Sequence, residues 1–571
     1  MAIKKVVKKT GGGLRARPGM GGATETSPNR PYHVEKLAPC GNGCPNETKI
    51  REILTTLALA EKHEMSPDDA FREAWQILIE KNPLPAVCGR VCPHPCEAEC
   101  NRKEKDGAVA INNVERLIGD FALDKGFVLP KISDTARPQK IAVIGSGPAG
   151  LSCAYQLARR GYPVTVFEAF PKPGGMLRYG IPNYRLPQEV LDKEIDRIMK
   201  MGVELKCNTA VGRDIPYEKV QEQYNVIFVG IGAHKGYALG VPGEDSPNVL
   251  TGTEFLNRAN CGEKINIGSK VIVIGGGDTA IDAARVARRL GAEAIILYRR
   301  TRTEMPAIEE EITGAEEEGV KIEYLAAPIE ILRNGDRAVG MKCLRMELGE
   351  PDASGRRRPV PIPGSEFTVE ATTIIPAISQ EPDFTGLEHL REGKDWIKTD
   401  ERGQLGNTVF AGGDDLELGL VTIAIYQGRR AAETIHEHFT GEKPPARPQQ
   451  EPIRHDKVML QYYESKLRND EFHIPVAERF TNPDREIMVG LTPEQAIAEA
   501  KRCMSCGSCF ECGNCWNYCQ DSAVVKPLLK GQRYKFKLEF CKGCNKCAEN
   551  CPCGYIEMHD PASYAPPQPV G

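Results

Sequence analysis

Cysteine offers this chain its most distinctive chemistry: the 571 residues include 21 of them, and they are clustered rather than scattered. Cys509, Cys512, Cys515 and Cys519 stand at C-x2-C-x2-C-x3-C intervals, and Cys541, Cys544, Cys547, Cys551 and Pro552 repeat the pattern with its terminal proline. That spacing holds a pair of [4Fe-4S] clusters, with the fourth cysteine of each run ligating the other cluster. One cluster then takes Cys509, Cys512, Cys515 and Cys551, and the other Cys541, Cys544, Cys547 and Cys519. Gln520 stands where the first run would carry its proline. Cys503, Cys506 and Cys553 are surplus to the pattern and read as structural. Zinc would be a poor use of thiolates at this spacing.

A second group lies near the amino end. Cys40 and Cys44 precede a helix-like stretch, and PAVCGRVCPHPCEAECNR then supplies Cys88, Cys92, Cys96 and Cys100 at intervals of four. Such intervals could line one face of a helix, but Pro93 and Pro95 interrupt it, so these thiols read as loop ligands. Soft thiolates select iron–sulfur clusters or zinc, and six can hold one four-thiolate site with two left over. From this segment alone zinc remains open. Disulfides fit neither group, because the intervals are those of metal ligands.

The elements that must position this chemistry are two β-α-β units. The first runs from Lys140 to Glu168, with Gly145, Gly147 and Gly150 opening its helix after an apolar strand. These glycines permit the turn, a pyrophosphate's approach and close helix–strand packing, while Ala149 lies in the first helical turn that supplies N–H donors. Glu168 ends the second strand, where an acid bonds a ribose hydroxyl about 20 residues beyond the loop. A Gly-Pro-rich loop around Gly174, Gly175 and Met176 could wrap a dinucleotide, and NVIFVGIGA, with Gly230 and Gly232, returns to the same sheet. The second unit, KVIVIGGGDTAIDAARVARRLGAEAIILYRRT, has Gly275, Gly277 and Ala280 as its fingerprint. Arg299, Arg300 and Arg302 replace its terminal acid, which suits a 2′-phosphate. Later, NTVFAGGDDLELGLVTIAI restores a strand, a turn at Gly412, Gly413 and Asp414, and a helix, so the second unit reads as an insertion into the first.

The expected architecture is therefore α/β and multidomain, with two Rossmann-like domains, a helical iron–sulfur domain before them and an α+β domain of bacterial ferredoxin type at the end. Boundaries fall at 1–35 for a basic flexible tail, 36–138 for the helical domain, 139–240 with 375–440 for the first nucleotide domain, and 241–374 for the second. Residues 441–500 read as a linker with a helix, and 501–571 as the two-cluster domain with its Pro-rich tail. Composition is that of a globular protein, 41% hydrophobic and 27% charged, and a net charge of −4 draws it to neither nucleic acid nor membrane. The first 17 residues carry six Lys or Arg and no acid, but lack the apolar segment of a signal peptide. No apolar run spans a bilayer, which implies a cytoplasmic protein.

Taken together, GRVCPHPCE, VIGSGPAGL, GGMLRYGIPNYRLP, IGGGDTAIDAARVARR, YRRTRTEMPA and FAGGD resemble the glutamate synthase small-subunit family of flavin oxidoreductases, also seen in the electron-input half of dihydropyrimidine dehydrogenase. The resemblance covers roughly residues 36 to 440; the linker and terminal domain are similar to DsrL-type NAD(P)H:acceptor oxidoreductases of dissimilatory sulfur metabolism. It implies FAD in the first unit, NADP or NAD in the second, and no acid–base catalyst, since hydride passes between cofactors. Along the flavin it places Glu168, Gly175, Met176, Arg185, Asp414, Thr422 and Ile423, and against the nicotinamide nucleotide Gly277, Asp278, Thr279, Arg299, Arg300 and Arg302. It implies one amino-terminal cluster on Cys44, Cys92, Cys96 and Glu115. A second would take Cys40 and Cys100, with the two cysteines that normally precede them missing and Cys88 as a substitute. The implied partner is a redox protein, dissimilatory sulfite reductase or another iron–sulfur protein, with homo-oligomerisation allowed. Rival readings are a glutamate synthase small subunit, a ferredoxin-reducing or bifurcating subunit, and an assembly protein that uses its cofactors structurally.

Overall fold

In the computed structural model, residues 26–353, 355–393, 396–444, 450–529 and 531–564 are described. The central sheet is parallel, in the order Val409–Ala411, Val226–Val229, Ile141–Ile144, Val164–Phe167, Glu204–Lys206. Its inner strands IAVI, VTVF and VIFV are buried throughout, as strands covered by helices on both faces must be. The helix Pro148–Ala158 packs on Val421–Thr440, where Ser152 Oγ donates to Ile425 O at 2.7 Å.

The chain leaves this sheet after Val226–Val229 and re-enters it at Val409–Ala411. Between lies a second parallel sheet, Thr373–Pro376, Lys270–Ile274, Glu293–Tyr298 and Lys321–Tyr324, with the helix Asp278–Arg289. Antiparallel strands Ala326–Asn334, Arg337–Pro351, Arg357–Pro361 and Phe367–Glu370 flank it. Before the first sheet, the helices Ile50–Leu59, Pro67–Ile79 and Ile111–Asp124 bury Leu57, Phe71, Leu78, Ile79 and Ile118 in a core shared with the first nucleotide domain. No helix among the described residues is long and apolar enough to cross a membrane.

Three expectations need correction. Residues 1–25 lie outside the described residues, but Arg30–His33, expected within the basic tail, forms a strand antiparallel to Ile556–His559. Four residues are too few to show periodicity, and the partner lies at the other end of the chain. Second, the cysteine run 88–100 is not all loop: Cys88 sits in the helix Pro85–Val91 and Cys96 in Pro95–Ala98, where Pro95 occupies the first turn that tolerates proline. Third, the segment expected to link domains is a strap. Ile474 and Ile487 are buried in the second nucleotide core, while Leu491, Ala496 and Ala500 join the amino-terminal helical core. Arg479 pairs with the buried Glu318 at 3.4 Å, and Arg102 Nη2 donates to Glu464 O at 2.7 Å.

Candidate functional site

Two cavities open at the carboxyl ends of the two parallel sheets. The first, of about 640 Å³, is lined by Gly145, Gly147, Ala149, Glu168, Gly175, Met176, Gly232 and Gly413. A Cβ on Gly147 would meet no atom within 4 Å, so the loop offers bare backbone to the cavity, whereas one on Gly150 would stand 2.0 Å from Gly145 O. The helix Pro148–Ala158 starts at this wall and turns its N-terminus to whatever fills the space, an arrangement suited to a pyrophosphate. Glu168 accepts from Ser146 N at 3.0 Å and Phe170 N at 2.8 Å, and also from the Ser146 hydroxyl, so the acid that borders the cavity also fixes the fingerprint loop.

The second cavity, of about 760 Å³, is lined by Gly275, Gly277, Thr279, Arg299 and Arg300. Both volumes are those of cofactor sites. Asp414 and Gly419 line both cavities, so two ligands seated there share a wall. Burial pushes the Asp414 carboxyl up to about 6, opposed by Gly419 N–H, which donates to it at 3.1 Å.

Several residues expected at these cavities are engaged elsewhere. Arg300 is buried, with Nη2 on Asp352 Oδ2 and Nε on Arg357 O, both at 2.7 Å. Arg302 pairs with Glu309 and Glu316 at 2.7 and 2.6 Å and does not line the cavity. Arg299 is exposed at the cavity wall without a side-chain partner among the described residues. Asp278 accepts from Ile308 N at 3.0 Å. Arg185 ties the loop of the first domain to the second through Asp282 at 2.7 Å and Glu311 at 3.0 Å, away from the flavin cavity. Ile423 lies beneath Gly419, and the buried Thr422 faces away from the cavity, its Oγ1 4.0 Å from Cys92 Sγ. Val421 lines the first cavity, so one helix start joins that cavity to the amino-terminal thiols.

Those thiols form two groups. Cys44, Cys92 and Cys96 gather near Glu115, which points inward and accepts from Asn82 Nδ2 at 2.7 Å. Burial pushes the Glu115 carboxyl up to about 7, and burial together with Glu115 pushes the Cys92 thiol up to about 12. Cys88, expected to complete a cluster with Cys40 and Cys100, lies instead with this group: its thiol faces Asn82 Oδ1 at 3.7 Å and is raised by burial and then by Glu115. The reason is local, since Cys88 is one helical turn before Cys92. Cys40 and Cys100 face Cys503 and Cys506, two thiols expected to be structural. The signal for them was present: Cys503 and Cys506 extend the two-residue spacing of the terminal run toward the amino end.

In the terminal domain, Cys509, Cys512, Cys515 and Cys551 surround one narrow cavity, with the surplus Cys553 beside them. Cys541, Cys544 and Cys547 lie together, and beyond burial and a hydrogen bond from Gly543 N, Cys541 feels both Cys544 and Cys519. Within the first run Cys512 and Cys515 each lie within electrostatic reach of Cys509 and Cys551, the set that the ferredoxin spacing assigns to one cluster.

Comparison with known proteins gives two family matches: pyridine nucleotide-disulphide oxidoreductase over residues 139–428, and dihydropyrimidine dehydrogenase domain II, 4Fe-4S cluster, over residues 28–127. The chain is 37% identical over 530 residues to the NADPH-Fe(3+) oxidoreductase subunit beta of Geobacter sulfurreducens, covering 84% of this chain and 77% of that protein. It is 36% identical over 526 residues to the NADP(+)-dependent formate dehydrogenase subunit beta of Moorella thermoacetica, covering 85% and 73%. With the glutamate synthase [NADPH] small chain of Escherichia coli it shares 37% identity over 438 residues, 70% of this chain and 90% of the other.

Proposed function

Because the chain belongs to the pyridine nucleotide-disulphide oxidoreductase family, in the glutamate synthase small-chain-like group of iron–sulfur flavoproteins, we propose that it is the subunit through which NADPH electrons enter a larger redox assembly. It is an NADPH-dependent oxidoreductase with FAD and iron–sulfur cofactors. FAD supplies the hydride acceptor and the change from paired to single electrons that an iron–sulfur acceptor requires.

The chain's own residues hold and align. The Gly145–Gly150 loop and its helix bind the FAD pyrophosphate, with Glu168 on the ribose. Gly277, Thr279 and Arg299 receive NADPH. Asp414 and Gly419 border both cavities and would hold the two cofactors beside each other, and this shared wall is the observation that carries the reading. The start of Val421–Thr440, with Val421 on the flavin cavity and Thr422 at Cys92, supports an exit into the group of Cys44, Cys92, Cys96 and Glu115. Two further clusters fit the terminal runs.

Each of the three relatives is named as a subunit or chain of a larger enzyme, which supports a protein acceptor. The acceptor we favour is dissimilatory sulfite reductase, on the resemblance of the terminal domain to DsrL-type proteins. The test is anaerobic mixing with NADPH, followed by addition of purified dissimilatory sulfite reductase, while flavin and siroheme absorbance are recorded. Flavin bleaching and then a siroheme change are expected. A flavin that stays oxidised overturns the reading; bleaching without a siroheme change overturns the choice of partner alone.

A further inference from the structure

We propose that Cys40, Cys100, Cys503 and Cys506 are the four ligands of an additional iron–sulfur cluster, assembled from both ends of the chain. The proposal rests on the iron–sulfur reading above and gives a role to two thiols which that reading leaves idle.

The first support is the backbone around Cys503. Cys503, Cys509 and Cys541 each open a C-x2-C turn, and the residue two places on is left-handed in all three: Ser505 at φ 48°, Glu511 at 59° and Gly543 at 72°. In all three its N–H donates to the cysteine sulfur, at 3.4, 3.4 and 3.5 Å. A serine and a glutamate held left-handed are uncommon, and such strain collects where function fixes the backbone. Hydrogen bonds to sulfur are among the groups that tune cluster potentials. The 503–506 turn therefore has the shape of the two cluster-binding turns beside it.

The second support is convergence. Cys40 lies in the short helix Pro39–Gly43 and Cys100 follows Pro95–Ala98, and both pack with Cys503 against one hydrophobic core. Neighbours of these cysteines hold the arriving chain. Arg102 Nη1 donates to Arg502 O at 2.8 Å, Asn101 Nδ2 to Cys506 Sγ at 3.6 Å, and Arg51 Nη1 to Cys506 O at 3.0 Å. All four thiols are mutual neighbours, each pair within electrostatic reach. Arg51, which pairs with Glu35 and Glu52, lies beside Cys40, Cys503 and Cys506.

Its place in the chain gives the site its use. On one side, Cys44 N donates to Cys40 O at 3.1 Å, and Cys96 feels both Cys44 and Cys40. On the other, Cys506 is followed by Cys509, and Gly507 N donates to Cys553 O at 2.7 Å. The four thiols thus stand between the flavin-side group and the terminal runs, where single electrons pass with no proton or group transferred.

The experiment uses the full-length protein, prepared anaerobically with its cofactors. Cys503→Ser combined with Cys506→Ser should lower iron and sulfide by about 4 per FAD, against about 16 in the parent, with loss of one reduced-state EPR signal. Cys40→Ser with Cys100→Ser should remove the same signal, and Cys261→Ser, at an exposed thiol, should remove none. Undiminished iron and an unchanged spectrum in the Cys503/Cys506 variant, or zinc in place of iron, would overturn the proposal. If the double variants aggregate, Cys506→Asp decides: a carboxylate keeps the iron and shifts one signal, and an unshifted spectrum counts against the site. These readouts need no NADPH, so they stand apart from the failure of flavin bleaching that would end the functional reading.

Discussion

The thiols at the carboxyl end of the chain and those at the amino end are gathered by different means. Beyond Cys503, the longest regular elements among the described residues are four residues each, Asn514–Asn517, Lys546–Glu549 and Ile556–His559. Their core joins Phe510, Val524, Tyr534, Tyr555 and Ile556 to the cysteines Cys515, Cys547, Cys551 and Cys553, and to Ile453, Val458 and Tyr463 of the preceding segment. Here three ligands of each set belong to one local turn and the fourth to the other run, and with no regular element longer than four residues the metal must supply much of the folding energy. At the amino end, helices of 10, 13 and 14 residues carry a full hydrophobic core, and the thiols are brought together by its packing. Ligands placed by a turn are written in the spacing of a sequence. Ligands placed by packing are not.

The sharpest way to break this contrast is to cut the chain between the two regions. Removing everything beyond residue 440 takes Ile474 and Ile487 from the second nucleotide core and Leu491, Ala496 and Ala500 from the helical core. Each of the three larger side chains is worth about 2 kcal/mol of burial, and their sum with the lost Arg479 pair approaches the stability of a whole domain. The shortened protein should lose FAD and aggregate on purification. A chain ending at residue 507 keeps these contacts and should retain FAD while losing roughly half its iron. Full FAD content and an unchanged melting temperature after the cut at 440 would show that the segment is the linker its proline-rich start suggests.

That start illustrates what the sequence made legible. The two β-α-β units were readable because strand, glycine loop and helix are contiguous, and the parallel sheets follow from their repetition. The terminal cysteine runs were readable for the same reason. The strap was not: its apolar residues, Ile474, Ile487 and Leu491, are too widely spaced to show a period and are divided between two separate cores. Cys88 was misassigned because its count in a four-residue series hides the helix that carries it. The arginines after the second unit adjoin in sequence but differ in their partners: Arg299 and Arg300 line the second cavity, Arg300 is also held by Asp352, and Arg302 turns to Glu309 and Glu316.

A smaller effect is expected where the strap is pinned. Glu318, its side chain fully buried, accepts from Arg285 Nη2 at 2.7 Å and pairs with Arg289 and with the strap's Arg479. Burial alone would raise its carboxyl, but hydrogen bonds from Arg285 and Arg289 outweigh that and hold it at about 2. A depressed carboxyl contributes stability above its unfolded value near 4.5 and loses it as pH falls toward 2. Glu318→Gln should therefore cost about 3–5 kcal/mol at neutral pH, because the buried Arg289 loses its carboxylate while Arg285 and Arg479 keep only Glu311 and Glu317, and should flatten the acid limb of the stability curve between those values. Urea titration at pH 7 and pH 4 checks both; an acid limb identical to the parent's would mean that another carboxylate controls it.

The smallest expected effect separates residues that adjoin in sequence from residues that share a site. Arg302 is partly exposed and satisfied by Glu309 and Glu316, and surface pairs of this kind are worth about 0–1 kcal/mol. Its removal should leave the preference for NADPH over NADH as it was. Arg300 is committed to Asp352 and to Arg357 O, so Arg300→Ala should lower stability before it changes preference. Arg299 stands at the cavity wall with its donors uncommitted among the described residues, positioned for a charge-assisted hydrogen bond to a 2′-phosphate worth about 1.5–3 kcal/mol. Arg299→Ala should cut the kcat/KM ratio for NADPH over NADH by roughly 10- to 100-fold with little change for NADH. Equal losses with both nucleotides would assign Arg299 to general binding, and a loss of preference in Arg302→Ala would mean that the ion pairs with Glu309 and Glu316 open when the nucleotide arrives.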